Sequence, residues 1–124
     1  MNRMKSNNFL NSFKFAFEGV IFASKSERNF RFHLLAAIAV ILAGTFSHLS
    51  TVEWIILILC ISGMLSLELV NSALERVVDL ASPEIHVLAK LAKDMSAAAV
   101  LVFACASAII GILIFLPKWM EIIN

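Results

Sequence analysis

The chain has 124 residues, 60% of them hydrophobic and only 15% charged, against roughly 45–50% and about 25% in an ordinary soluble domain. Its net charge is +1 and its mean hydropathy +0.90. A soluble domain this small lacks the interior to hide so much apolar surface, intrinsic disorder is excluded by the same excess, and the absence of a basic block excludes a nucleic-acid binder. What remains is a single all-α integral membrane domain, in which each charge needs an explanation because charge in a bilayer is costly.

Met1 to Lys5 superficially resembles the start of a signal peptide. Lys14, Glu18 and Lys25 interrupt the apolar stretch after it, and no small-residue cleavage site appears, so the N-terminus is expected to be retained. Residues 9–25 predict an amphipathic surface helix. Phe9, Leu10, Phe13, Ala16, Phe17, Val20 and Ile21 fall on one side, with Asn11, Lys14, Glu18 and Lys25 on the other. Phe15 and Phe22 sit on the polar flank. A charged face with this aromatic load suits the membrane interface.

A charged hinge, Lys25 to Arg31, precedes a first span over 32–52, with a short polar turn at Ser47–Thr51. The second span is expected over 53–81, opening with Glu53 and the interfacial Trp54 and packing through Ser62 and Gly63. It runs on into a cytoplasmic extension. Ser82-Pro83-Glu84 reads as a stop and restart, with Ser82 as N-cap and Pro83 at N1. The last helix is expected over 83–116, polar at first, charge-free from Met95, and ended by Pro117. Trp119 reads as a second belt residue. Cys60 and Cys105 lie in apolar runs without metal-ligand spacing and read as small buried hydrophobes.

Lysine and arginine asymmetry sets the orientation. Arg3, Lys5, Lys14, Lys25, Arg28 and Arg31 lie before the first span, and Arg76, Lys90 and Lys93 around the second loop. The first loop has no Lys or Arg, and the C-terminus has only Lys118. The N-terminus and second loop are therefore expected in the cytoplasm of a multi-pass cell-membrane protein, with the C-terminus outside.

The chemistry concentrates on the second span. Glu68, Asn71, Ser72, Glu75 and Asp79 share an arc of about 100° on a helical wheel, flanked by Arg76. At about 1.5 Å per residue, Glu68 lies about 21 Å from Trp54, below the inner headgroups, with Glu75 and Asp79 roughly 10 and 16 Å further on. His86, Lys90, Lys93 and Asp94 make a second stripe on the last helix, and Glu27 stands at the cytoplasmic end of the first span. Glu27, Glu68 and Glu75 can thus converge with a lysine and a histidine at the inner surface. Two carboxylates can share a divalent ion with phosphate, and a third at lipid depth can take a proton from a lipid hydroxyl. Asn71 and Ser72 alone are equally explained as helix–helix contacts, Lys93 alone as an inner-leaflet anchor, and His86 alone as a solvent-facing loop residue. His33 and His48 read as interfacial, without a role. The four glycines form neither a P-loop nor a dinucleotide fingerprint.

Glu68-Leu-Val-Asn-Ser-Ala-Leu-Glu-Arg-Val-Val-Asp79 resembles the signature of the prokaryotic diacylglycerol kinase family, E-x-x-N-[ST]-[SA]-[LIV]-E-x-x-V-D. Lys93-Asp94-Met95 followed by Ala97-Ala98-Ala99-Val100 is similar to its second block, and Glu27-Arg28-Asn29-Phe30-Arg31 to the segment before its first span. The resemblance implies a homotrimeric helical bundle, with three transmembrane helices and a surface helix per subunit and with active sites shared between subunits. It implies transfer of the γ-phosphate of ATP to a lipid hydroxyl with Mg²⁺ as cofactor. By the same resemblance Glu68 is the catalytic base and Asn71 orients it. Glu27 and Glu75 hold the metal and, with Asp79, Glu84, His86, Lys93 and Asp94, the nucleotide. Glu68, Arg31 and Ala97 meet the lipid. The stretch Arg28 to His33 and the Phe-rich segment Phe13 to Gly19 are similar to the Gram-positive branch, whose substrate is undecaprenol. Ser96-Ala97 stands where the diacylglycerol branch has Gly-Ser, and Ile85 where it has Tyr. The alternatives are a diacylglycerol kinase of the same mechanism, and a transport or interaction subunit whose acids relay ions. A relay needs ionisable groups on both sides of the midplane, whereas the acids crowd the inner half.

Overall fold

The computed structural model of the chain describes residues 9–124, and Met1 to Lys5, with the retained-terminus reading placed on them, lie outside these. Four helices follow in order: α1 (Phe9–Ser26), α2 (Arg28–Phe46), α3 (Thr51–Ala81) and α4 (Val87–Ile123). The last three are long and apolar enough to cross a membrane, so the chain is a multi-pass membrane protein. Helix α3 packs against each of the other three, most extensively α4.

Helices α1 and α2 are separated by one extended residue, Glu27, rather than by the expected hinge. The ladder resumes at once: Glu27 N–H donates to the Ala23 carbonyl at 2.8 Å, and Arg31 N–H to the Glu27 carbonyl at 3.1 Å. The first transmembrane helix therefore begins at Arg28, not 32. It ends at Phe46, not 52, because His48 takes a left-handed backbone (φ 52°) that reverses the chain. Ser50 then opens α3 with a capping box: its Oγ accepts from Glu53 N–H, and its own N–H donates to Glu53 Oε2. Glu53 is thus the third residue of α3 rather than its first.

Two further boundaries differ from expectation. Ser82 closes α3 and its hydroxyl donates to the Glu84 carbonyl, so it is not free to cap α4. His86 caps α4 instead, its Nδ1 accepting from Leu88 N–H at 3.1 Å, and the helix starts at 87, not 83. Nor does Pro117 end α4, which continues to Ile123. Proline forfeits one helical hydrogen bond, but two contacts bind the segment beyond it. Trp119 Nε1 donates to the buried Ser47 Oγ at 2.9 Å, and Lys118 pairs with Glu53 at 3.1 Å.

The small core lies toward this same end: Leu57, Ile114 and Phe115, packed by Val40, Ala43, Leu49, Ile56 and Ile110. Close approach depends on two glycines. A Cβ on Gly44 would stand 2.7 Å from the Trp54 ring, and one on Gly63 2.4 Å from the Phe103 ring. The Gly63 contact is the small-residue packing the sequence suggests. Cys60 and Cys105 are free but not buried: Cys60 is partly covered and Cys105 is exposed.

Candidate active site

In a chain that leaves most of its apolar surface uncovered, four polar side chains are almost fully buried among the described residues: Ser47, at the far end, and three together on α3, Glu68 (2% exposed), Asn71 (6%) and Ser72 (5%). These three sit midway along α3 on its protein-facing side, at the spacing that put them on one stripe. Burying a carboxylate without partners is costly, so the surroundings of Glu68 matter. His33 of α2 places Nε2 3.9 Å from Glu68 Oε2. Glu27 and Glu75 also lie within electrostatic reach of this carboxylate. The lysine and histidine expected with these carboxylates, Lys93 and His86, stand apart in the cleft described below.

One α-helical turn beyond Asn71, Glu75 accepts from Asn71 Nδ2 at 3.4 Å. Asn71 Oδ1 is then left buried with no partner among the described residues. An orphaned buried acceptor is costly in a finished core and is what a site awaiting a donor presents. Glu27 is held by Arg76, whose Nη2 lies 2.5 Å from Glu27 Oε1. The Arg76 Nη1 donates to the Ser72 carbonyl at 3.3 Å, and the guanidinium lies 4.9 Å from the Phe22 ring centroid. One side chain thus ties α1, the α1–α2 break and α3 together.

One turn further along α3 the stripe opens into a cleft of about 380 Å³ at the α3–α4 turn. Its walls include Asp79, Glu84, His86, Lys90, Lys93 and Asp94. Lys93 pairs with Asp79 across the cleft, and Lys90 with Asp94 along α4 at 2.5 Å. The five nucleotide-binding candidates outside the carboxylate cluster are therefore gathered in one place. Arg31 and Ala97 are not drawn into either group. Arg31 Nη1 donates to the Lys25 carbonyl at 2.7 Å, and Ala97 is exposed on α4.

The oxygen-only donors Glu27 and Glu75 suit Mg²⁺, which takes one or two carboxylates and completes its shell with phosphates and water. Among the described residues no three His, Cys, Asp or Glu side chains gather to hold a metal alone.

The family model described as prokaryotic diacylglycerol kinase matches residues 14–115, which contain nearly every side chain named above. The chain belongs to that family. Among known relatives of this family member, the undecaprenol kinase of Bacillus subtilis is 51% identical over 117 residues, covering 94% of this chain and 95% of that one. A diacylglycerol kinase of Synechocystis is 42% identical, covering 93% of this chain and 66% of its own greater length. One from Haemophilus influenzae is 36% identical, covering 86% and 92%.

Sequence reasoning about this kinase-family chain misses two residues. The histidine beside the carboxylates is His33, not His86, which caps α4 beside the separate cleft. The signal is present, because His33 follows Phe30 by three and precedes Ala37 by four, on the side of α2 that both bury. Arg76 reads from the sequence only as a flank of the stripe, and its pairing with Glu27 depends on how α1 and α3 meet.

Proposed function

We propose that the chain transfers the γ-phosphate of ATP to the hydroxyl of undecaprenol at the cytoplasmic membrane face, giving undecaprenyl phosphate. The observation that carries the choice of lipid is the 51% identity, over almost the full length of both chains, to an undecaprenol kinase. The chemistry rests on the buried Glu68 beside the unpartnered Asn71 Oδ1.

Phosphoryl transfer needs positioning and charge neutralisation more than covalent chemistry. Glu68 takes the proton of the lipid hydroxyl as its oxygen bonds to the γ-phosphorus and the bond to the β-phosphate oxygen breaks, releasing ADP. Asn71 offers its free carbonyl to a donor in the site and keeps Glu75 in place with its amide. Glu27 and Glu75 would hold Mg²⁺ with the phosphates. When bound, the ion would supply positive charge against the negative charge on the transferred group. Lys93 exchanges Asp79 for phosphate when the nucleotide enters the cleft, with Glu84, His86 and Asp94 around it.

Membrane placement belongs to the same proposal. The stripe Phe9, Leu10, Phe13, Phe17, Val20 and Ile21 is exposed along α1, which suits a helix lying in the interface with its aromatic side in lipid. The N-terminus and α3–α4 turn face the cytoplasm and the C-terminus the outside, following the lysine and arginine asymmetry. Homotrimeric assembly is supported by the apolar faces of α2, α3 and α4, most of which the chain itself leaves uncovered.

The test is phosphorylation in detergent micelles with labelled ATP and Mg²⁺, offering undecaprenol and diacylglycerol side by side. Preference for undecaprenol is expected. Preference for diacylglycerol, the lipid named in the Synechocystis and Haemophilus relatives, would keep the mechanism and overturn the lipid. Transfer to neither by folded protein would overturn the proposal.

A further inference from the structure

Glu27 stands where a side chain ordinarily turns back on its own helix. It is the N-cap of α2, on an extended backbone (φ −103°, ψ 111°), and its carboxylate makes no cap hydrogen bond. The start of a helix attracts a carboxylate through its unpaired N–H groups and the positive end of its dipole. Here the carboxylate is engaged instead by Arg76 of α3, 2.5 Å away.

Arg76 is itself fixed from two sides. Its Nη1 donates to the Ser72 carbonyl one turn back on α3, and its guanidinium lies over the Phe22 ring of α1. It adjoins Glu75 in the chain, but the two leave α3 about 100° apart. Glu75 meets Asn71, whereas Arg76 meets Glu27. Each of the two candidate metal carboxylates therefore has its own holder on α3. Arg76 does not line the cleft at the α3–α4 turn, so its link to the site runs through Glu27.

We propose that Arg76 is a positioning residue of the metal site, which keeps the Glu27 carboxylate off the start of α2 and holds it to α3, the helix that carries Glu75. This rests on the reading of Glu27 and Glu75 as the ligands of Mg²⁺. The two come from different helices, and Arg76 is the partner the structure gives the Glu27 carboxylate. Without it, Glu27 is free to swing onto the N–H groups of α2, a pull worth about two- to fivefold in an equilibrium. Arginine suits the task better than lysine. Its planar fork donates to a carbonyl and a carboxylate at once while its face lies on a ring, and a point charge on a flexible stem does not. The sign of the effect separates positioning from charge. By Coulomb's law alone, removing a cation beside two carboxylates would tighten their hold on Mg²⁺. Removing a positioning residue weakens it.

The experiment uses the full-length protein in mixed micelles with undecaprenol, and the variants R76M, R76K and F22L. Two quantities are measured. One is the free Mg²⁺ concentration for half-maximal rate at fixed ATP. The other is equilibrium binding of Mn²⁺ together with a non-hydrolysable ATP analogue, followed by electron paramagnetic resonance. R76M is expected to raise the Mg²⁺ requirement and weaken Mn²⁺ binding about fivefold, while the analogue without metal binds within about twofold of the parent. R76K, which keeps the charge but not the fork, should fall between R76M and the parent. F22L keeps every charge and loosens the guanidinium, so the Mg²⁺ requirement should rise about twofold. An unchanged or lowered Mg²⁺ requirement in R76M, or an equal weakening of the analogue with and without metal, would overturn the role of Arg76. If R76M does not fold, R76K and F22L decide: a rise in both is expected, and a rise in neither overturns the proposal. E27Q keeps the two readings apart. An unchanged Mg²⁺ titration in E27Q would remove the metal ligand on which the inference rests, whereas a raised requirement in E27Q with none in R76M would overturn Arg76 alone.

Discussion

The segment beyond Pro117 stays helical only if something holds it, and the Trp119–Ser47 hydrogen bond is the contact to remove. Trp119→Phe keeps a ring 5.3 Å from Phe115 and deletes the N–H that Ser47 Oγ accepts at 2.9 Å. Ser47 is 6% exposed, so its hydroxyl loses its partner where water does not reach it, whereas Trp119 is 46% exposed and can turn outward. A buried group left unpaired costs about 1–3 kcal/mol, and side-chain hydrogen bonds in membrane proteins couple by about 0.6 kcal/mol on average and up to about 1.7. We therefore expect Trp119→Phe to destabilise by about 1.5 kcal/mol, Ser47→Ala by about 1, and the double variant by little more than Trp119→Phe alone. The coupling is then about 1 kcal/mol. The assay is unfolding of the micellar protein by titrated SDS, followed by helical circular dichroism, with kinase activity measured in parallel. Activity should stay within about twofold of the parent, because Glu53, which pairs with the neighbouring Lys118, is about 22 Å along α3 from Glu68. Strictly additive losses would refute the reasoning. They would mean that the bond is not made and that α4 stops before Pro117.

At the other end of the molecule, Glu68→Gln should lower turnover by about 10²- to 10⁴-fold, the usual worth of a positioned base, while equilibrium binding of nucleotide is largely kept. Loss of both together would count against Glu68 as the base. Glu75→Gln should raise the Mg²⁺ concentration needed for half-maximal rate, and an unchanged metal titration would remove it from the ligand set. Lys93→Met frees Asp79 and deletes the cation at the cleft. We expect KM for MgATP to rise about tenfold with a smaller change in kcat, and a loss confined to kcat would show that Lys93 does not meet the ground-state nucleotide.

Most of the site can be read in the sequence because it lies on one helix. Glu68, Asn71, Ser72 and Glu75 are spaced so that helix periodicity alone puts them on one side, and the lipid environment makes a stripe of acids informative. Lys93, Asp94 and His86 come just beyond a turn, so their meeting with Asp79 needs only two consecutive helices to pack. The positions of helix ends are less legible, since each depends on which of several polar groups takes a cap. Ser50 captures the first turn of α3. Ser82, of the same chemistry, gives its hydroxyl to the Glu84 carbonyl and leaves α4 to His86.

The sequence by itself determined the class, the three apolar spans and the polar stripe on the second of them, because hydropathy and a fixed helical period are local properties. Only the tertiary structure decided that His33 reaches Glu68, that Arg76 holds Glu27, and that Trp119 and Lys118 carry α4 past a proline. Each of these joins residues on different helices, and how two helices meet depends on side-chain packing that no single segment encodes.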